Sequence, residues 1–134
     1  MNAPLVLTLN ENKMAKHIEK GNKGEEAAVV YLAENDYRIL QRNWRYYHKE
    51  LDIIAEKDDK LFIFEVKSRR QNSFSDPSEV LSYNKMRHII DAAEAYIMEF
   101  NIEKEVQFDL LVVLFGDGVQ IKHYKEAIIP GVNW

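Results

Sequence analysis

One segment near the middle of the chain constrains the fold more than any other part of the sequence. Two stretches with the pattern of β-strands, residues 50–56 and 60–68, flank the pair Asp58-Asp59. An adjacent pair of aspartates favours a tight turn, and if the turn holds these two residues, Lys57 pairs with Lys60. We therefore predict an antiparallel hairpin in which the residues on either side of this pair face each other.

The register of this hairpin brings charged side chains together. It places Asp52 opposite Glu65, and Glu50 opposite Lys67. Directly opposed side chains on one sheet face lie only ~4.5–5.5 Å apart at Cβ, and two carboxylates in that position repel each other. A divalent cation between them would relieve the repulsion, because hard cations take carboxylate oxygens as ligands. Lys67 follows Glu65 by two positions and so points to the same face.

Asp52, Glu65 and Lys67 together have the layout of a metal-dependent phosphodiesterase site. The two carboxylates suit Mg²⁺ or Mn²⁺, and a bound metal lowers the pKa of its water. Lys67 is a candidate to orient the attacking water or to stabilise developing negative charge. The alternative is a solvated sheet face on which Lys67 pairs with Glu65 or Glu50, and residue spacing leaves the two interpretations about even.

Hydrophobic periodicity predicts a single α/β domain with the order αβββαββ, in which a mixed sheet has a helix on each face. The predicted helices span residues 25–33 and 86–100, and the predicted strands span residues 37–47, 50–56, 60–68, 106–115 and 119–127. We place the domain at residues 13–128, with a flexible tail at 1–12 and a short tail at 129–134.

Composition limits the class of protein. A chain of 134 residues suits one domain, and the lack of cysteine excludes disulfides and thiolate metal sites. No apolar run approaches the ~20 residues of a membrane span, so we expect a cytoplasmic protein without membrane association. The net charge of −4 argues against a broad electrostatic coat for nucleic acid.

Two further acids stand in apolar surroundings. Glu25 shares a predicted helix stripe with Ala28 and Leu32; it is a candidate ligand or water-positioning group, or else a first-turn acid favoured by the helix dipole. Asp109 lies inside an apolar strand. For Asp109 we favour structural pairing with a partner, such as an arginine, over catalysis.

Four cationic residues near the predicted site are candidate phosphate contacts: Arg45, Arg69, Arg70 and Lys85. Ordinary surface charge explains Arg69 and Arg70 about equally well. Lys85 opens the second predicted helix and could meet phosphates or the acids of the site; a cation there opposes the helix dipole, which slightly favours a specific role over a solvated first turn. Trp44, Tyr46 and Tyr47 alternate loosely with charges on the first predicted strand of the domain. Core packing explains these aromatic residues better than base stacking, unless two of them prove to be exposed.

Several spaced motifs carry a resemblance to a known family. In chain order they are Gly21-x-x-Gly24-Glu25, Asn43-x-Arg45, Glu50-Leu51-Asp52, Glu65-Val66-Lys67-x-Arg69, Lys85 with Arg87, and Phe108-Asp109. Over residues 17 to 128 the chain resembles the YraN-like family of small bacterial proteins, within the PD-(D/E)xK restriction-endonuclease-like superfamily.

The resemblance implies a restriction-endonuclease-like core related to archaeal Holliday junction resolvases. Asp52 and Glu65 would be the metal carboxylates, Lys67 the catalytic lysine and Glu25 the acid carried by a helix. The chain departs from the family pattern at Lys49, where glycine is favoured. It also departs in the loop that begins at Phe74, where Phe-Gly-x-Pro is favoured and this chain has Phe-Ser-Asp-Pro.

Three functional hypotheses follow. The first is a divalent-metal-dependent endonuclease acting on DNA, with branched or damaged DNA as candidate substrates. The second is a nucleic-acid-binding or partner-binding module that keeps the fold but cleaves poorly, which the low basicity favours. The third is a structural domain whose acids are held by internal ion pairs. The sequence leaves a homodimer open.

Overall fold

The chain forms a mixed β-sheet with one helix packed on each face. The structure, a computed structural model, describes residues 5–8 and 23–131. Its elements are β1 (Leu5–Thr8), α1 (Lys23–Glu34), β2 (Arg38–Tyr46), β3 (Lys49–Lys57), β4 (Lys60–Arg70), a 3₁₀ turn (Pro77–Glu79), α2 (Tyr83–Glu99), β5 (Val106–Gly116) and β6 (Gly118–Ile128). Neither described helix is long and apolar enough to cross a membrane.

The strand order across the sheet is β1-β6-β5-β4-β3-β2. The β4 and β5 strands are parallel, and every other described neighbouring pair is antiparallel. The predicted order αβββαββ is confirmed from α1 onward. An additional edge strand, β1, lies within the predicted N-terminal tail and pairs with β6. The predicted boundary between residues 12 and 13, and residues 132–134 of the predicted C-terminal tail, lie outside the described residues.

Two apolar cores lie on opposite faces of the sheet. Along β4, Phe62 and Phe64 pack into the core beneath α1, whereas Leu61 and Ile63 pack into the core beneath α2. This alternation follows the two-residue period of a strand. Both faces of β4 are covered, which explains why its first half is continuously apolar in sequence.

The predicted two-residue turn between β3 and β4 is confirmed. Asp58 has a φ of 51° and Asp59 a φ of 61°, so both adopt the left-handed conformation of a type I′ turn. The ladder that follows has the predicted register, and its described pairs run from Lys57↔Lys60 to Ile53↔Phe64.

Beyond Ile53 the β3 strand leaves β4 and remains paired with β2 alone, as far as Tyr46↔Lys49. We call this two-stranded projection, residues 44–51, the arm. The arm packs on α2: the Lys49 ammonium lies 3.0 Å from the Asp91 carboxylate, and the Trp44 ring packs edge-on against Tyr96.

The arm corrects one part of the predicted register. Asp52 and Glu65 are not a ladder pair, and neither are Glu50 and Lys67, because β3 and β4 have already separated at these positions. Glu50 instead forms an ion pair with Arg45 of β2, at 3.1 Å. We call the point of separation between β3 and β4 the fork.

Candidate nuclease site at the fork

Asp52 occupies the fork itself. Its Oδ2 accepts a hydrogen bond of 2.8 Å from the backbone N–H of Val66. In a continued ladder this N–H would donate to the carbonyl of Leu51, so the Asp52 side chain takes over a backbone role. The hydrogen bond fixes the carboxylate between the two separating strands.

Glu65 lies on β4 beside this carboxylate and is only 3% exposed. Its Oε2 lies 3.1 Å from the Nζ of Lys85 and 3.5 Å from the Nζ of Lys67. These are ion pairs, and Oε2 is nevertheless a buried oxygen without a hydrogen bond of ordinary geometry. A carboxyl oxygen in such surroundings still has capacity for a further partner.

The two carboxyl groups act on each other electrostatically. Burial, followed by the negative charge of Glu65 and a hydrogen bond with it, raises the pKa of Asp52 to about 7. The Val66 N–H and the charge of Lys85 oppose this rise. The fork therefore brings the two predicted carboxylates together although they are not paired in the ladder.

This donor set suits a hard divalent cation. Two carboxylates, one of them with a buried oxygen that lacks a hydrogen bond, offer the oxygen ligands that Mg²⁺ and Mn²⁺ take in proteins. Within residues 23–131 no cluster of three or more histidine, aspartate or glutamate side chains is arranged to hold a metal. Other ligands of a metal at the fork would have to come from water or substrate.

Lys85 contacts an acid of the site directly, which is one of the two roles that the sequence left open for it. Helix α2 begins at Tyr83, three residues before the predicted start, because the Ser82 side chain caps it by accepting from the N–H of Lys85. The first turn of α2 thereby carries the Lys85 ammonium to Glu65. The capping serine was the sequence signal for this placement.

Glu25 is buried on α1, which packs on the opposite face of the sheet from Glu65. Its Oε1 accepts from Arg42 Nε at 3.1 Å and from Asn43 Nδ2 at 2.9 Å. Asn43, on β2, lies opposite Asp52, on β3, at the position between the pairs Arg42↔Ile53 and Trp44↔Leu51. Glu25 is thus connected to the fork through Asn43. A direct role of Glu25 in the site stays a prediction.

The predicted phosphate contacts do not share one surface. Arg69 follows Lys67 by two residues on β4 and lies on the α2 face with Glu65, whereas Arg70 lies on the α1 face by strand alternation. Both are exposed. The Arg45 guanidinium is exposed on the arm beside Glu50.

Asp109 has a buried partner that sequence reasoning missed. His123 Nε2 lies 2.7 Å from Asp109 Oδ2, and His123 Nδ1 lies 2.7 Å from the hydroxyl of Tyr31. The other oxygen of Asp109 accepts from Gln107 Nε2 and from the N–H of Glu126, both at 2.9 Å. The partner is thus a histidine and not an arginine.

The protonation of this network follows from its geometry. Burial raises the pKa of Tyr31 well above its ordinary value, so the phenol keeps its proton and can donate it to the His123 tautomer in which Nδ1 carries no hydrogen. His123 Nε2 then donates to Asp109. The chain Tyr31–His123–Asp109 joins α1 to β6 and β5, which supports the structural pairing predicted for Asp109.

Both departures from the family pattern have structural partners. Lys49 holds the arm to α2 through Asp91, and its hydrogen bond lowers the pKa of that carboxyl. In the loop after β4, Phe74 is buried and packs against the ring of Tyr124. Asp76 caps the 3₁₀ turn by accepting from the N–H of Ser78.

Comparison with known proteins gives the family. The model of the uncharacterised protein family UPF0102 matches residues 24–113. A UPF0102 protein of Bacteroides thetaiotaomicron is 45% identical over 118 residues, which cover 87% of this chain and 98% of that protein. One from Persephonella marina is 38% identical over 105 residues, covering 78% of this chain and 90% of that protein. The chain therefore belongs to the uncharacterised protein family UPF0102, the YraN family.

Proposed function

We propose that this protein is a divalent-metal-dependent nuclease that hydrolyses phosphodiester bonds of DNA, with branched or damaged DNA as candidate substrates. One observation carries the proposal: buried Glu65 and Asp52 meet at the fork, with the ammonium groups of Lys67 and Lys85 within 3.5 Å of a Glu65 oxygen that lacks a hydrogen bond. Carboxyl groups brought this close repel each other, and a functional cation gives a reason for them.

The roles follow from position and charge. Asp52 and Glu65 would hold Mg²⁺ or Mn²⁺, which when bound supplies a water of lowered pKa and offsets charge on the reacting phosphate. Lys67 is half-buried beside them and would orient the attacking water or stabilise negative charge that develops in the transition state. Lys85 would hold the Glu65 carboxylate in place.

The fork also provides access. Because β3 has left β4 at Asp52, the edge of β4 beyond Glu65 is not paired with the arm. Lys67 is half-buried and Arg69 exposed along this stretch. A phosphate that reaches the carboxylates along β4 would pass cationic side chains, which compensate locally for the acidic charge of the whole chain.

The test is a cleavage assay on linear, flapped and four-way DNA with Mg²⁺ or Mn²⁺. We expect cleavage by the wild type and none by Asp52→Asn or Glu65→Gln. Glu56→Gln is the matched control, because Glu56 is a β3 carboxylate held by Arg38 and Lys104 outside the fork. No cleavage of any substrate by the wild type, or equal cleavage by all three variants, would contradict the proposal.

A binding module that keeps the nuclease fold is the second candidate. The ion pairs of Glu65 with Lys67 and Lys85 favour it, because they compensate the buried carboxylate from within the chain. DNA binding that is unaffected by Mn²⁺, with no cleavage, would select this candidate over the nuclease.

A further inference from the structure

The tip of the arm holds a tyrosine in a backbone conformation that suits glycine. The pair Tyr46↔Lys49 closes a two-residue turn formed by Tyr47 and His48. Tyr47, the first of the two, has a φ of 57°. A bulky residue is rare at positive φ, and this turn position favours glycine or asparagine. In the hairpin of β3 and β4 the turn residues with positive φ are Asp58 and Asp59, and aspartate tolerates this conformation.

Burial does not compensate for this conformation. Tyr47 is 82% exposed and Tyr46 is 38% exposed. Their rings contact each other at 4.8 Å between centroids with an interplanar angle of 73°. Of the three aromatic residues Trp44, Tyr46 and Tyr47, two are thus exposed, which is the condition under which the sequence favoured base stacking over core packing. Strained, exposed residues of this kind cluster at functional sites.

The tip is connected directly to the fork. Lys49, where β3 begins, precedes Asp52 by three residues, a distance of about 10 Å along an extended strand. The Lys49–Asp91 ion pair and the edge-on contact of His48 with His88 hold the arm against α2. A ligand that contacts the tip can therefore reach the carboxylates at the same time.

The charge around the tip is opposite to that of the chain. Three cationic side chains on the arm and the first turns of α2 stand against two carboxylates there, in a chain whose net charge is −4. The cations are Arg45, Lys49 and Arg87, and the carboxylates are Glu50 and Asp91; Lys85 is not counted because it pairs with Glu65 at the fork. Aromatic rings interleaved with cations are the combination that binds single-stranded nucleic acid, through stacking and phosphate contacts.

We propose that Tyr47, supported by Tyr46, is a stacking platform for an unpaired base of DNA, so that the site prefers DNA with unpaired nucleotides next to the bond at the fork. This inference rests on the proposed function for its substrate class. A second copy of the chain is the other occupant to consider. Two tyrosine rings at a narrow turn offer far less area than the roughly 800 Å² per partner of a stable protein interface.

The test measures binding of the full chain to a perfect duplex and to the same duplex with an unpaired 3′ flap, by fluorescence anisotropy with Ca²⁺ in place of Mg²⁺. We expect the wild type to prefer the flapped DNA and Tyr47→Gly to bind it about tenfold more weakly, which is the scale of one lost base stack. Binding to the perfect duplex should change little. Tyr47→Trp should retain the preference, and Tyr47→Leu, which keeps apolar area without a π face, should lose it.

Controls separate stacking from folding and from self-association. Tyr47→Gly places glycine at a positive φ, so its melting temperature should be no lower than that of the wild type. Met98→Ala, at an exposed apolar residue on the last turn of α2, should leave the preference unchanged. Unchanged flap binding by Tyr47→Gly, or a dimer in sedimentation that this variant abolishes, would overturn the inference.

The outcome is independent of cleavage. Flap binding that depends on Tyr47 in a chain that cuts nothing would support the platform and contradict the nuclease. Cleavage that depends on Asp52 but shows no flap preference in wild type would support the nuclease and contradict the platform.

Discussion

Oε2 of Glu65 lies 3.1 Å from Nζ of Lys85, which places the first turn of α2 inside the acidic site. Lys67 contacts the same oxygen from within β4. The fork thus holds two carboxyl groups and two ammonium groups on three elements of the fold. Their charges nearly balance in the protein alone, so any cation that binds must change the interactions of the lysines.

Metal affinity should depend on pH through Asp52. Its pKa of about 7 means that the group carries a proton below that pH, and this proton must leave before the oxygen can bind a metal. Calorimetry should show Mn²⁺ affinity that is nearly constant above pH 7 and falls by up to about tenfold per pH unit below it. Asp52→Ala and Glu65→Ala should both weaken binding strongly, and unchanged affinity in both would remove the metal-site hypothesis.

Asp52 should make the metal-free protein less stable as the pH rises. The folded state keeps the Asp52 proton up to about pH 7, whereas the unfolded chain loses it near the ordinary aspartate pKa of 3.8. Folding therefore takes up a proton between these values, and stability falls with rising pH across that window. Asp52→Asn should therefore increase the free energy of unfolding relative to wild type, and this increase should be larger at pH 8 than at pH 5 by on the order of 2 kcal/mol.

The check is urea unfolding at both pH values in the presence of a chelator. The asparagine side chain of the variant keeps an oxygen that can accept from the Val66 N–H, so the fork hydrogen bond is retained. Glu56→Gln is again the control, because the pKa of Glu56 is lowered by Lys104 and Arg38 and not raised. An equal gain at pH 5 and pH 8 for Asp52→Asn would contradict the raised pKa.

The two lysines at Glu65 should differ in their mutant effects. Lys67→Ala should bind DNA nearly as well as wild type and cut it far more slowly, because a lysine that acts in the transition state lowers turnover without removing ground-state affinity. Lys85→Ala should instead move the pH dependence of Mn²⁺ binding upward, since the charge of Lys85 lowers the pKa of Asp52. Equal loss of binding and cleavage in Lys67→Ala would mark it as a plain phosphate contact.

Arg69 and Arg70 form a matched pair of adjacent, exposed arginines on opposite faces of the sheet. Arg69→Ala should reduce the slope of log affinity for DNA against log salt by about 0.9, the contribution of one phosphate contact. Arg70→Ala should leave the slope nearly unchanged. Binding across a salt series with Ca²⁺ present measures both, and an equal effect of the two variants would show that DNA contacts both faces.

The Tyr31–His123–Asp109 network should contribute to stability and not to metal binding. Asp109→Ala removes the acceptor of three hydrogen bonds, from Gln107, His123 and Glu126, and leaves the buried His123 without this partner. We expect a loss of about 2–4 kcal/mol in the free energy of unfolding. Tyr31→Phe, which removes one bond, should cost about 1–2 kcal/mol. Mn²⁺ affinity of the folded Tyr31→Phe protein should equal that of wild type, and a large decrease would instead link the network to the site.

Local sequence signals predicted the elements and the hairpin, because each depends on short-range rules. The aspartate pair at residues 58 and 59 predicts a two-residue turn, which the structure shows to be type I′. This turn sets the register of β3 against β4 as far as Ile53↔Phe64. Continuing that register to Asp52 and Glu65 identified two carboxyl groups that the fold does bring together, but by the wrong geometry. The ladder ends because the arm packs on α2, and contacts between distant elements are not encoded in strand periodicity.

His123 was missed for a related reason. The hairpin of β5 and β6 places Leu111 opposite His123, which puts His123 diagonal to Asp109 on the α1 face. That register was available from the turn at Gly116–Gly118. However, a register shift occurs between Phe108 and Leu110, where Glu126 on the partner strand adopts a φ of 53° and turns its N–H to Asp109. A bulge of this kind depends on the tertiary contacts of both strands.

The hydrogen bond from the Val66 N–H gives Asp52 an architectural role in addition to the chemical role that we propose for it. Removing the Asp52 side chain by alanine would release a strand as well as a ligand, so loss of activity in that variant alone would confound local misfolding with lost chemistry. Asparagine at this position keeps the strand joint and changes only the charge. In a library that holds every substitution at position 52, the variants with wild-type protein abundance should therefore include asparagine. The variants that still cleave DNA should be restricted to acids.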